Sequence, residues 1–188
     1  MRNIYLAGTA AVLLGAAAAV AAVASYTSDA QQSRLEFVGL QAGAEFKGVF
    51  HKFTANVDFA PDALASSRID VQIDMNSVDS MDKDRDATIR GKDVFDVAHN
   101  PTAHYLTKSI TKTAAGFAAV GALTLRGVTK DIPIEFQFVP GAAGAAKLSG
   151  SAKLNRLDFG VGQGDWKSTD TVGDAVKINF SLVLKPKG

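Results

Sequence analysis

The sequence has no cysteine, three histidines and one tryptophan, and these absences remove several classes of chemistry. Without cysteine the chain forms no disulfide, thiolate metal site or nucleophilic thiol, so its stability must come from packing. An excess of charge of one sign is also lacking, because 20 basic residues face 19 acidic ones. A nucleic-acid-binding surface needs a basic excess to replace phosphate counterions. The charge balance therefore argues against a nucleic-acid partner and against strong attraction to anionic lipid headgroups.

The amino-terminal segment has the features of an export signal. Arg2 is the one charged residue before Asp29, and residues 4–24 are rich in Ala, Leu and Val. Ala22 and Ala24 supply the small-x-small pattern that signal peptidase recognises. An uncleaved anchor is the alternative, since about 20 apolar residues span a bilayer, but no basic cluster follows. We predict a signal peptide over 1–24 and a periplasmic mature protein that does not insert into the membrane.

Beyond a polar lead-in at 25–33, the hydrophobic pattern has mostly a period of two. In SRIDVQIDM, Ile69, Val71 and Ile73 alternate with polar residues, as in half-buried strands. The alternation changes phase near His51–Lys52, which predicts a β-bulge. About eight such segments, separated by Gly, Pro and Asp turns, fit a sandwich or a closed barrel. A barrel leaves no exposed edge strand, but the pattern alone leaves both architectures open. It predicts an all-β domain of about eight antiparallel strands over 34–188.

Residues 82–92 break this period and predict a short helix with acidic residues at its start. Asp82, Asp84, Asp86 and Asp93 also match part of an EF-hand frame, but Ala87 occupies the position that requires glycine. A solvated helix start is the better interpretation. His51, His99 and His104 have no metal-ligand spacing, and GVGQG does not lead into a helix as a phosphate loop would. No motif supports catalysis.

Small residues share the inward phase of the predicted strands with several phenylalanines: Gly39, Gly48, Ala55, Gly121, Gly150 and Ala152. Glycine inside a strand marks a barrel corner or a close approach to the backbone. Small residues beside large ones also occur in ordinary core packing. From the pattern alone, a ligand cavity and a filled interior remain equally open.

Arg156 falls on the apolar face of a predicted strand. In KLSGSAKLNRLDFGVG, the alternation that places Leu148, Ala152 and Leu154 on one face also places Arg156 there. A guanidinium does not shed its charge, so burial requires partners. Asp158 or Asp86 would provide an ion pair at the barrel rim. Alternatively, Arg156 would contact the polar head of an otherwise apolar ligand.

Six segments follow the order and spacing of the YceI-like family, which this chain resembles over residues 34–184: FKGVFHKFTANVDF, SRIDVQIDMNSVDS, RDATIRGKDVFDVAHNPTAHY, GALTLRGVTKDIPI, LNRLDFGVG and VGDAVKINFSLVL. The resemblance implies a lipocalin-like extended β-barrel, commonly periplasmic, that holds a polyisoprenoid or another long-chain amphiphilic lipid. The chain departs from the family at Val94–Phe95, where paired Phe is common, and at Asn100, where an aromatic residue precedes the proline.

By position, the resemblance implies a ligand-binding lining with Arg156 as its polar contact: Phe37, Phe50, Phe53, Ile73, Phe95, Tyr105, Leu123, Leu125, Leu154, Arg156, Phe159, Ile178 and Phe180. No catalytic residue, metal or cofactor is expected beyond a bound lipid of the isoprenoid class, which includes isoprenoid quinones. The implied function is passive sequestration or transport of that lipid.

Two other functions stay open at this point. One is an interaction module whose barrel is packed solid and whose Gly-rich loop, residues 160–173, docks a membrane partner such as a cytochrome. The other is a small hydrolase or isomerase acting on a lipid, for which the sequence offers only Arg156, His51 and the acidic run. The family resemblance also suggests a homodimer.

Overall fold

Eleven strands form one continuous sheet in the computed structural model, which describes residues 23–187. They are β1 (Ala24–Ser28), β2 (Arg34–Gln41), β3 (Ala44–Phe50), β4 (Phe53–Phe59), β5 (Arg68–Asp74), β6 (Val78–Asp79), β7 (Thr102–Thr113), β8 (Gly116–Leu125), β9 (Val128–Pro140), β10 (Ala146–Asn155) and β11 (Ala175–Pro186). The predicted signal peptide falls almost entirely on residues 1–22, outside the described part of the chain.

Eight strand positions close this sheet into an antiparallel barrel. The pairs β1/β2, β3/β4 and β5/β6 each occupy one position, because β11 pairs with both β1 and β2, and β3 pairs with β2 and β6. Neighbours in the chain are neighbours in the barrel, and β1 closes it by pairing with β4 and β11. The prediction of an eight-stranded lipocalin-like barrel is confirmed.

The phase change predicted at His51–Lys52 separates β3 from β4. The backbone N–H of His51 donates to Ser77 O at 3.1 Å, and that of Asp74 donates to Lys52 O at 2.9 Å. The irregularity lets Phe50 and Phe53, three positions apart, both lie buried in the interior.

The barrel begins earlier than the sequence interpretation placed it. Residues 25–33, described above as a polar lead-in, include most of β1, and Tyr26 is buried. A turn follows in which Asp29 accepts hydrogen bonds from Lys185 Nζ at 2.6 Å and from the Gln31 backbone N–H at 2.9 Å. These bonds lower the pKa of Asp29 to about 2. Because this pKa is depressed, the stabilisation it gives is complete above the ordinary value of 3.8 and is lost as the pH falls toward 2.

One short α-helix, α1 (Lys83–Arg90), lies within the predicted segment 82–92. Asp82 caps it by accepting from the backbone N–H groups of Asp84 and Arg85 at 3.1 and 3.0 Å. The loop after the helix is joined to the loop after β10, since Gly162 and Gln163 donate to Asp93 O at 3.0 and 2.6 Å. The helix and these two loops cover one end of the barrel, which we call the helix end.

Aromatic side chains fill the opposite end of the barrel. Phe59 is 2 % exposed, and its ring centroid lies 4.6 Å from that of Phe138 and 4.9 Å from that of Phe117. Phe117 in turn stacks on Phe136 at 5.4 Å. We call these four rings the aromatic plug.

The inward-facing glycines each lie beneath an aromatic ring of the protein itself. Phe37 lies over Gly48 and Tyr105 over Gly121, and an added Cβ at either glycine would overlap the ring. At Gly39 an added Cβ would come 2.8 Å from Phe46 Cε1. These glycines therefore make room for rings that pack closely on the backbone of the neighbouring strand. Because the rings lie against the wall, the lumen between them stays open.

We predict that Gly48→Ala pushes the Phe37 ring away from the wall and lowers the free energy of unfolding by about 1–3 kcal/mol, the usual range for overpacking. Urea denaturation measures this loss. In the double variant Gly48→Ala/Phe37→Leu, the smaller side chain relieves the overlap, so the combined loss should be smaller than the sum of the two single losses. Strictly additive losses would show that the ring and the glycine are not coupled.

Candidate functional site

A cavity of about 490 Å³ occupies the barrel between the aromatic plug and the helix end. Its wall is built from inward-facing residues of the strands, and aliphatic and aromatic side chains dominate it. The sequence did not decide between a filled and a hollow interior. The structure has both, because the aromatic plug fills one half of the barrel and the cavity occupies the other. A barrel packed solid, as the interaction-module interpretation requires, is ruled out by this cavity.

Twelve of the thirteen residues predicted as ligand-binding line this cavity: Phe37, Phe50, Phe53, Ile73, Phe95, Tyr105, Leu123, Leu125, Leu154, Arg156, Ile178 and Phe180. The exception is Phe159, which is completely buried and does not line it. The strand pattern does not extend to Phe159, because β10 ends at Asn155 and a 3-10 turn, Arg156–Phe159, begins there.

Several lining residues were missed because they lie outside the strands. Thr88 and Ile89 come from α1, Val94 comes from the loop after it, and Trp166 comes from the loop after β10. Their orientation depends on how these segments fold over the barrel, which a period of two does not report. Val71 also lines the cavity, and its alternation with Ile69 and Ile73 was a signal that could have identified it.

Arg156 is 5 % exposed and its side chain donates only to backbone carbonyls. Nε donates to Gly173 O at 3.0 Å, Nη1 to Val161 O at 2.9 Å, and Nη2 to Val172 O at 2.7 Å and Ser168 O at 3.3 Å. Burial lowers the pKa of Arg156, and the negative charge of Asp174 opposes that shift. These contacts hold the loop 161–173 around the guanidinium.

The carboxylate partners expected for Arg156 are wrong. Asp158 lies 3.8 Å from Lys130 Nζ, and Asp86 accepts from the backbone N–H and the hydroxyl of Ser80, both at 2.7 Å. Among residues 23–187, Arg156 forms no salt bridge. The loop carbonyls take the place of a carboxylate because they surround the guanidinium on several sides.

Gly162 shows how closely the loop follows this side chain. Its φ is +102°, and an added Cβ would overlap Arg156 Nη1 and lie 2.7 Å from Trp166 O. Glycine is therefore required both by the backbone conformation and by the space. The consequence for the cavity is that Arg156 positions Trp166 and Val172, which line it at the helix end.

Polar groups of the cavity lining are concentrated at the helix end. Asp82, Asp84, Arg85 and Thr88 of the α1 region line it, and Gln41 lies at the end of β2. We call this group the polar rim. A backbone hydrogen bond from Arg85 lowers the pKa of Asp82, so that carboxylate is ionised. The cavity is thus apolar along the barrel and polar at the helix end.

The histidines considered above as metal ligands each have a different aspartate as partner. His51, His99 and His104 each lie 2.9 Å from a different aspartate: Asp79, Asp96 and Asp70. Within the described range 23–187, no group of three or more His, Cys, Asp or Glu side chains is arranged to hold a metal ion. Nor does that range contain a helix long and apolar enough to span a bilayer.

Residues 26–184 match the YceI-like domain, nearly the whole described chain. The chain belongs to the YceI-like family. Among curated proteins, a UPF0312 protein of Yersinia enterocolitica is 32% identical over 157 residues, 80% of this chain and 82% of that protein.

Three solved structures share the fold of this chain. BcnA of Burkholderia cenocepacia is 32% identical with a TM-score of 0.78, and the match covers 83% of this chain and 98% of that one. The Campylobacter jejuni YceI protein is 28% identical with a TM-score of 0.65, over 77% and 86% of the two chains. A polyisoprenoid binding domain from Saccharophagus degradans, 18% identical with a TM-score of 0.67 over 88% and 99%, shares the fold.

Of the two departures from the YceI-like pattern, one lies in the cavity lining and the other lies beside the turn between β8 and β9. Val94 and Phe95 both line the cavity, and the Phe95 ring centroid lies 6.2 Å from that of Phe50. Valine at 94 fills less volume than the phenylalanine that the family often has there. Asn100 faces the β8–β9 turn, where an added Cβ at Gly127 would lie 3.4 Å from its Oδ1.

We predict that Arg156→Met lowers the free energy of unfolding by about 3 kcal/mol, because the loop carbonyls lose their donors in a buried place. Amide hydrogen exchange should rise throughout 161–173. Arg34→Met is the matched control, since the Arg34 side chain is 65% exposed and surface ion pairs contribute at most about 1 kcal/mol. If Arg156→Met unfolds like the wild type with an unchanged loop, Arg156 does not organise that loop.

Proposed function

We propose that this protein is a periplasmic binding protein that sequesters or carries a long-chain amphiphilic lipid of the polyisoprenoid or isoprenoid-quinone class. The observation that carries the proposal is the division of the barrel into a plugged half and a hollow apolar half with a polar rim. A hydrocarbon tail fits the hollow half, and a polar head fits the rim.

The chemistry of the wall supports a lipid tail as the occupant. Burial of apolar surface contributes roughly 25 cal/mol per Å², and the wall offers aromatic and branched aliphatic side chains on all sides. The rings of Phe37 and Phe50 lie 5.6 Å apart, and Phe95 extends this row toward the helix end. An isoprenoid chain has methyl branches along its length that pack well against such a surface.

The relatives support the same class of ligand. The Saccharophagus degradans domain that shares this fold is described as a polyisoprenoid binding domain. Export to the periplasm is proposed from the signal peptide predicted over 1–24. The homodimer and the cytochrome partner stay predictions.

A binding role without a catalytic step is the proposal that fits the polar groups at hand. Burial raises the pKa of Tyr105, so its hydroxyl stays protonated, and it donates to Ile132 O at 3.4 Å. Arg156 is engaged with the loop carbonyls, and His51 bonds to Asp79 outside the cavity lining. Two of the groups named above for an enzyme, Arg156 and His51, therefore have structural partners.

We predict that protein purified from its native host without detergent carries a long-chain lipid, which native mass spectrometry detects as a bound mass. Ala152→Phe fills the lumen, because Ala152 lines the cavity, and should reduce bound lipid at least about tenfold. Ala122→Phe is the matched control. Ala122 lies between the inward-facing Gly121 and Leu123 on β8, so its side chain faces outward. The added ring should therefore leave the lipid content unchanged.

Two results would contradict the proposal. One is wild-type protein that is empty and ignores added prenyl lipids. The other is an equal lipid content in wild type and in an Ala152→Phe variant whose circular dichroism shows a folded barrel.

A further inference from the structure

Arg85 is the cation of the polar rim. It lies in the first turn of α1 and lines the cavity, with its side chain 28% exposed. Its guanidinium carbon lies 4.8 Å from the centroid of the Phe46 ring, a cation–π distance. Nη2 lies 3.3 Å from Asp82 Oδ2. The ring below and the carboxylate beside it hold the guanidinium at the helix end of the cavity.

The hydrogen-bond donors of Arg85 distinguish it from Arg156, the other cation of the cavity lining. A guanidinium has five N–H donors. Arg156 donates hydrogen bonds to four backbone carbonyls. The Arg85 side chain makes one hydrogen bond within the described chain, to Asp82. Arg85 therefore keeps donors for a group that enters the rim.

The charges around Arg85 indicate which kind of group fits. Asp82 and Asp84 also line the rim, so two carboxylates accompany one guanidinium. A phosphate or diphosphate head would meet more negative than positive charge at this end of the cavity. A carbonyl or hydroxyl oxygen would accept a hydrogen bond from Arg85 without that repulsion.

We propose that Arg85, held on the Phe46 ring, is the polar-head subsite, and that Asp82 and Asp84 select an uncharged head with carbonyl or hydroxyl oxygens over a phosphorylated one. This inference rests on the proposed lipid-binding function and replaces Arg156 as the polar contact. Phe46 is a positioning residue in this arrangement, and Gly39 leaves the space in which its ring lies.

The test compares geranylgeraniol, geranylgeranyl phosphate and the matching hydrocarbon that lacks the hydroxyl, by competition against a fluorescent apolar probe. Wild type should bind the alcohol more tightly than the phosphate. Arg85→Gln should weaken the alcohol about tenfold, as for a lost hydrogen bond to a charged group, and change the hydrocarbon less than about twofold. Lys83→Gln, an exposed charge removal on the same helix that does not line the cavity, is the matched control and should change neither.

Two further variants complete the comparison. Arg85→Lys keeps the charge but not the planar fork, so the alcohol should be weakened less than in Arg85→Gln. Asp84→Asn removes one carboxylate, and the phosphate should then bind about fivefold more tightly.

The outcomes separate the subsite from the lipid-binding function. If Arg85→Gln weakens the alcohol and the hydrocarbon equally, or if wild type prefers the phosphate, the subsite is wrong while lipid binding stands. If wild type binds none of the three compounds, both proposals fall together. Circular dichroism of each variant identifies a loss of binding that comes from unfolding.

Discussion

The contact between an aromatic ring and a glycine in the neighbouring strand determines how wide this barrel is inside. Phe37 over Gly48 and Tyr105 over Gly121 lie where a Cβ would occupy the same space. A larger residue in place of either glycine would force its ring toward the barrel axis. Barrels of this strand number are either filled by their own side chains or hold one small ligand. The hollow half, and with it any ligand, depends on these pairs.

Two arginines at the helix end have different tasks. Arg156 is satisfied by carbonyls of the loop 161–173 and shapes the wall that this loop provides. Arg85 contacts the Phe46 ring and Asp82, and its remaining N–H donors are available to a ligand in the cavity. A buried cation in an apolar phase of a sequence therefore does not by itself mark a ligand contact. The count of its hydrogen-bond partners decides between structure and recognition.

The sequence predicted what depends on local periodicity. The alternation of Ile69, Val71 and Ile73 predicts the face that lines the cavity, and the phase change at His51–Lys52 marks the break between β3 and β4. It did not reveal β1, whose only large apolar anchor is Tyr26, because pairing with β4 and β11 holds that strand. The alternation placed Arg156 on the inward face, but its hydrogen-bond partners and the position of Trp166 depend on how distant loops meet, so these had no local signal.

A crystal structure of the protein purified from its native host without detergent tests the central claim most directly. The expected result is continuous electron density for an elongated chain in the lumen, running from the aromatic plug to the polar rim, with its polar end beside Arg85. A lumen occupied by the rings of Phe37 and Tyr105, turned inward from Gly48 and Gly121, would contradict it.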